Sequence, residues 1–228
     1  MTAAFTGTEI CVFDAYGTLF DFNSAVARHR GAIGAKADAL ADLWRAKQIQ
    51  YTWLRNGMGA YAPFWQVTGE ALDHCLAAHD ISAPDARDKL MSAYLALDPF
   101  PEVPAMLDAL QRAGLRLAIL SNGNPEMLDP MVAASGLAAR FEAVLSVDSV
   151  GVFKPAPEVY RLVEARCGVK PEKVCFLSSN CWDAHGAAHF GFRTVWVNRA
   201  GAPDDGLPGT PAAQLRDLSR LPSLLGIS

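Results

Sequence analysis

The chain has 228 residues, 51% of them hydrophobic, with 20 Lys and Arg against 24 Asp and Glu and a formal charge of −4. That balance, without any Lys/Arg block, excludes the footprint of a nucleic-acid or anionic-membrane binder and leaves small molecules as the natural partners. The five cysteines (Cys11, Cys75, Cys167, Cys175 and Cys181) are scattered without a CxxC pair, there is no secretion signal, and no uncharged apolar run approaches the membrane-spanning ~18 residues, so a reducing cytoplasm is expected.

The first predicted element is a short buried strand, Ile10, Cys11, Val12 and Phe13, which stops at Asp14 and gives way to a Gly-marked turn at Gly17. A carboxylate at the carboxyl end of such a strand is either a turn brace or the seat of chemistry in an open α/β sheet. Helical patterns follow over 24–30, 39–57, 64–79 and 85–97, with no strand between them. The strongest, 39–57, places Leu40, Leu43, Trp44, Lys47, Tyr51 and Leu54 on one face and ends at Gly57. After the breaker cluster 98–102, helices over 103–113, 125–135, 157–167 and 182–190 alternate with strands over 115–120, 142–147, 173–178 and 193–197. This alternation means βαβ units and a parallel sheet. The expected fold is therefore α/β, a Rossmann-like doubly wound parallel sheet formed by 1–20 and 98–228, with 21–97 inserted as an all-helical cap. The Gly- and Pro-rich stretch 201–211 reads as loop, and a short helix or strand is expected near 213–226.

Three further strand ends should open on the same edge as Asp14. The first carries Ser121, Asn122, Gly123 and Asn124 ahead of Pro125, so a helix N-terminus fronted by the Ser121 hydroxyl can seat a carboxylate or phosphate; Asn124 reads as an ordinary N-cap. The next sets Lys154 before Pro155, which holds the chain extended and aims the ammonium. The last reads Ser178, Ser179, Asn180, Cys181, Trp182 and Asp183; Asn180 with Asp183 is either a capping box or the polar half of a hydrolytic site. His185 and His189 lie four apart, but Gly186 stands where a zincin motif needs Glu, so no metal is expected of the pair.

Five separated motifs carry a resemblance: Asp14 to Asp21; Leu43, Trp44 and Arg45 with Tyr51 to Arg55; Leu120 to Gly123; Lys154 with Pro155; and Ser178 to Asn180 with Trp182 and Asp183. On these the chain resembles the haloacid dehalogenase superfamily and, within it, the L-2-haloacid dehalogenases. The superfamily divides into magnesium-dependent phosphatases and metal-free dehalogenases. Phosphatases of this kind carry an acid two residues after the nucleophile, where this chain has Tyr16, and carboxylates in the last motif, where it has Asn180. A hard octahedral cation wants negative oxygen ligands, so these neutral residues argue for the dehalogenase branch, without cofactor or metal.

The resemblance implies a reaction in which Asp14 displaces halide from C2 of a short L-2-haloalkanoate, leaving an ester that water hydrolyses to the D-2-hydroxy acid. It implies Lys154 as counter-ion of Asp14 and Asp183, helped by Ser178 and Asn180, as the group that orients and deprotonates water. Ser121 and neighbouring amides, including that of Asn122, would hold the substrate carboxylate. Thr18 would support Asp14, and Tyr160 would brace Lys154. Arg45, Asn180 and Phe64 would cradle halide, with Tyr16, Ile49 and Trp182 as pocket walls. Ala46 stands where relatives often have Gln. A homodimer is what relatives suggest. Two alternatives stay open: a magnesium-dependent small-molecule phosphatase, and a non-catalytic binding protein for small acids.

Overall fold

This computed structural model describes residues 3–82 and 85–227. From the N-terminus, β1 (Ile10–Phe13) is wholly buried and is followed by β2 (Phe20–Asp21), with Gly17 between them at φ +85, a left-handed turn position that favours glycine. Helices α1 (Asn23–Arg28), α2 (Arg30–Ile33), α3 (Ala37–Met58), α4 (Phe64–Ala78) and α5 (Ala86–Tyr94) come next, before β3 (Asp98–Pro99). The chain then alternates through α6 (Val103–Arg112), β4 (Arg116–Ser121), α7 (Pro125–Ala134), β5 (Ala143–Ser146), α8 (Pro157–Cys167), β6 (Val174–Ser178), α9 (Cys181–Phe190) and β7 (Arg193–Val197). It closes with β8 (Ala213–Leu215) and α10 (Leu221–Leu224).

Six strands form one parallel sheet in the order β5–β4–β1–β6–β7–β8, which puts β1 centrally, as the connection rules require. Because helices cover both faces, β1 and β6 are buried at every residue and read as continuous rather than alternating apolar runs. Phe13 stands level with Ile119 on one side and Leu177 on the other. That register carries the residues just beyond, Asp14, Ser121 and Ser178, to a common edge. Chain order reverses about β1, the position where open sheets place ligands.

The helical segment leaves and re-enters the sheet domain through an antiparallel ribbon, Phe20 opposite Pro99 and Asp21 opposite Asp98. A two-residue pair containing proline leaves no period to detect, so sequence patterning sees only a breaker there. The predicted helix over 24–30 is two short helices meeting at His29. The predicted apolar face of α3 also needs correction. The buried residues are Ala37, Leu40, Trp44, Gln48, Ile49 and Thr52, while Leu54 is 52% exposed. Gln48 is buried because it is satisfied: its amide donates to Thr68 Oγ1 at 2.7 Å and its Oε1 accepts from Tyr94 at 3.2 Å. Polar residues with partners displaced an apolar one without them.

Helical segment and sheet are stitched by polar contacts. Asn56 holds both backbone groups of Phe153, donating to its carbonyl at 2.8 Å and accepting from its amide at 2.9 Å. Asn124, expected to cap its own helix α7, makes no such bond; its Oδ1 accepts from the Trp65 amide at 2.9 Å and so caps α4 instead.

Candidate active site

Asp14 is held by the end of β1 and by its own amide, which donates to the Leu177 carbonyl at 2.9 Å. Its side chain is 7% exposed. Lys154 Nζ donates to Oδ1 at 3.0 Å, whereas Oδ2 accepts from Asn180 Nδ2 at 3.0 Å and from the Thr18 hydroxyl at 3.2 Å. Thr18 is itself fixed by the Ser179 amide, which donates to its Oγ1 at 2.7 Å. Three donors thus converge on one carboxylate.

Lys154 reaches the site because the segment before α8 is pinned: its amide donates to Asn122 Oδ1 at 3.0 Å, and Pro155 follows. The same ammonium donates to Asp183 Oδ2 at 3.0 Å, bridging two carboxylates that come from opposite ends of the chain. Burial alone would push the Lys154 pKa down, but Asp14 and Asp183 outweigh it and the ammonium is held above its ordinary range. Asp183 moves upward too, driven first by its burial and then by the negative charge of Asp14, against the pull of Lys154. Tyr160 donates to Asp183 Oδ1 at 2.8 Å, and burial together with Asp183 raises its pKa well above the usual phenol range. Tyr160 therefore braces Asp183 directly and Lys154 only through it. The capping-box reading of Asn180 and Asp183 does not hold, since Asn180 makes no side-chain cap bond and Asp183 faces the interior.

On the side of the helical segment, Arg45 Nη2 donates to Asn180 Oδ1 at 3.2 Å and Nη1 to Gln48 Oε1 at 2.7 Å, with the guanidinium 5.0 Å above the Phe22 ring. Ala46 is exposed, and the amide beside Arg45 belongs to Gln48, three residues on, a helical spacing that could have pointed to it. Tyr16 packs between Phe64 and Tyr94 at 5.8 and 5.4 Å between ring centroids. Among the described residues its hydroxyl is buried without any partner, and burial raises its pKa well above the phenol range. A buried, neutral O–H donor left unpaired at the end of β1 is what a ligand oxygen or halide would satisfy.

Ser121 and Ser178 are fully buried at their strand ends and each accepts from an amide two residues on, Gly123 at 3.1 Å and Asn180 at 3.2 Å. Ile49 and Phe64 are buried, while Trp182 is half-buried and meets Trp53 edge-on at 5.3 Å. Sequence reasoning missed Tyr94, Phe153 and Arg199. Arg199 donates to the Gly17 and Thr18 carbonyls at 3.2 and 2.8 Å and pairs with Glu102 at 2.7 Å, bracing the loop after Asp14. Nothing in its local sequence marks it, because all of its partners lie in segments far from it along the chain. A cavity of about 520 Å³ reaches Arg45, Asn180 and Gly17, with Asp14 behind them rather than on its wall. Burial raises the Cys181 thiol pKa above its ordinary value.

His189 is not brought into any ligand group with His185; among the described residues, Cys181, His185 and Asp204 place possible ligand atoms within 4.8 Å of one another. Around Asp14 the donors do not fit a hard divalent cation, because Tyr16 and Asn180 are neutral and an ammonium stands between the two carboxylates.

Residues 8–191 match the family of haloacid dehalogenase-like hydrolases. The chain is 45% identical over 216 residues to (S)-2-haloacid dehalogenase 1 of Pseudomonas sp. (strain CBS-3), covering 94% of this chain and 95% of that one. It is 41% identical to haloacetate dehalogenase H-2 of Moraxella sp. (strain B), covering 89% and 91%. Among solved structures it superposes, with a TM-score of 0.88 and 37% identity over 96% of this chain and 98% of the other, on an L-2-haloacid dehalogenase from Xanthobacter autotrophicus with chloropropionic acid covalently bound. Among the described residues, no helix is long and apolar enough to cross a membrane.

Proposed function

Since the chain belongs to the haloacid dehalogenase-like hydrolases, we infer that it hydrolyses the carbon–halogen bond of short L-2-haloalkanoic acids through an aspartyl ester. One observation carries the assignment of residues. Lys154 bridges Asp14 and Asp183 at 3.0 Å each, while neutral Asn180 and Thr18 hold the other oxygen of Asp14. A carboxylate so fixed, and without a second acid beside it at position 16, suits attack on carbon.

In the first step an Asp14 oxygen forms a bond to C2 as the C2–halogen bond breaks and halide departs. Arg45, with Asn180 at its shoulder, receives the halide; a guanidinium carries charge without a tight water shell, and Phe22 and Phe64 supply apolar walls. Ser121, the Asn122 amide and the unpaired Tyr16 hydroxyl hold the substrate carboxylate, with Ile49 and Trp182 completing the walls. In the second step water adds to the Asp14 carboxyl carbon and gives its proton to Asp183, whose raised pKa makes it the better base. Collapse breaks the bond between that carbon and the ester oxygen. The alkoxide takes the proton back from Asp183 and leaves as the D-2-hydroxy acid, while the regenerated Asp14 carboxyl releases its own proton to solvent. Thr18, Ser178 and Tyr160 position these groups.

Incubation with L-2-chloropropionate and a chelator should release one chloride per acid consumed and yield D-lactate. In ¹⁸O-water, single-turnover product should carry unlabelled hydroxyl oxygen, with the label in Asp14. Labelled first-turnover product would rule out the ester.

The reading extends to a core of 1–20 and 98–228 with a cap of 21–97, supported by the ribbon at the junction, and to a reducing cytoplasm, supported by five free cysteines. It also extends to a homodimer, supported by Trp53, Leu54 and Met58 standing exposed together on α3. Sedimentation should then give twice the chain mass of 24.5 kDa, and a species at 24.5 kDa would refute the dimer.

A further inference from the structure

Outside the reaction site, one cluster of side chains among the described residues has the composition of a metal centre. Cys181 opens α9 and His185 lies one turn further along it; Asp204 comes from the loop between β7 and β8 that lies across the helix. That loop is pressed close. Gly209, at φ +85, sits where a Cβ would lie 2.4 Å from the His189 nitrogen and 2.5 Å from the His185 carbonyl oxygen, so only glycine permits the approach.

His185 is 3% exposed and both ring nitrogens face acceptors: Nδ1 the Leu207 carbonyl at 2.8 Å, Nε2 the Asp204 Oδ1 at 3.0 Å. A neutral imidazole has one N–H. Given to Leu207, it leaves the Nε2 lone pair turned toward a carboxylate, an arrangement that a cation between the two would satisfy. A backbone carbonyl holding the second nitrogen is also the usual support of a metal-bound histidine. The carboxylate is supported likewise, accepting from the Gly206 amide at 2.7 Å. With Nε2 and Oδ1 3.0 Å apart, an ion can sit about 2.0–2.1 Å from each. The ligand atom of Cys181 lies within 4.8 Å of both.

We propose that Cys181, His185 and Asp204 form a binding site for a borderline divalent cation of the zinc type. A thiolate, an imidazole and a carboxylate are the ligand types that such an ion accepts, and the two anions balance its charge. Binding forms a sulfur–metal bond and passes the Cys181 proton to solvent. The Asp204 side chain is 55% exposed, so the fourth position opens to water. Occupancy clamps the 199–212 loop to α9, one residue from Asn180 and on the wall of the cavity that Asp205 lines. None of the three ligands belongs to the dehalogenase machinery, so this site stands or falls separately from that reading.

The test is titration of the full chain with Co²⁺ at neutral pH. One ion per chain should bind, with a thiolate-to-cobalt charge-transfer band and tetrahedral d–d bands that Zn²⁺ removes. Cys181→Ser should abolish the charge-transfer band, and Asp204→Asn, on an exposed loop that leaves folding intact, should weaken binding roughly tenfold or more. No band in the parent chain would overturn the site and leave His185 and Asp204 as an ion pair. A band that persists in Cys181→Ser, or an affinity unchanged in Asp204→Asn, would also overturn it.

Discussion

Asp14→Asn should reduce halide release by about 10⁴- to 10⁶-fold, the range seen when a covalent nucleophile is removed while the rest of its site remains. The substitution is isosteric. Lys154 keeps Asp183 as a partner, and Asn180 and Thr18 still surround the position, so the fold and the substrate pocket should survive. The measurement is chloride release at saturating L-2-chloropropionate, with mass spectrometry of protein quenched during turnover. Parent protein should carry an adduct on the peptide containing Asp14, and Asp14→Asn should carry none. Undiminished release from the variant would assign the attack to water and leave Asp14 a positioning role.

Lys154→Met should cost about 3–5 kcal/mol of stability, the usual consequence of removing one partner from a buried charge pair. Here the argument is stronger than for a simple pair, because two carboxylates lose their shared cation. The side chains of Lys154, Asp14 and Asp183 are 1%, 7% and 0% exposed, so water cannot take over the solvation. Methionine fills similar volume and leaves little cavity, which isolates the charge effect. Urea unfolding should show a lower midpoint at unchanged slope. Adding Asp183→Asn should recover part of the loss, since one unpaired carboxylate is gone, and the two substitutions should not add. Activity should fall in both variants. A Lys154→Met protein as stable as the parent would mean that the carboxylates share a proton rather than need the ammonium.

Several features of the fold could be read directly. The switch from helical periodicity over 24–97 to alternating strands and helices after 98 located the inserted segment, because the hydrophobic period is a local property of the chain. The strand ends at Asp14, Ser121 and Ser178 could be placed on one edge for the same reason, with right-handed crossovers setting the order. Lys154 was legible from proline. Pro155 restricts the residue before it, and a restricted lysine beside a strand end has few places to point.

The differences share a physical cause. Asn124 satisfies a local rule for capping its own helix, and its side chain instead found the Trp65 amide, brought near by folding. The Asn180–Asp183 pair satisfies the same kind of local rule, so the sequence left it open between a cap and a site, and only Lys154 and Tyr160, from other segments, account for where Asp183 points. On α3, counting apolar residues put Leu54 inward, whereas Gln48 and Thr52 are the buried ones because the Thr68 hydroxyl accepts from the Gln48 amide and the Ile49 carbonyl accepts from the Thr52 hydroxyl. Arg199 was invisible because its contacts are with the loop after Asp14 and with Glu102.

By itself, then, the sequence determined which residue types stand at the strand ends: a lone acid at Asp14, neutral groups at Tyr16 and Asn180, and one lysine held before a proline. Only the tertiary structure decided that this lysine is shared between Asp14 and Asp183, that Arg45 reaches the site through Asn180, and that Cys181, His185 and Asp204 meet. Strand and helix periods are set by neighbours along the chain, whereas a hydrogen bond or an ion pair needs two groups within about 3 Å, and that closeness is made by packing between segments far apart in sequence.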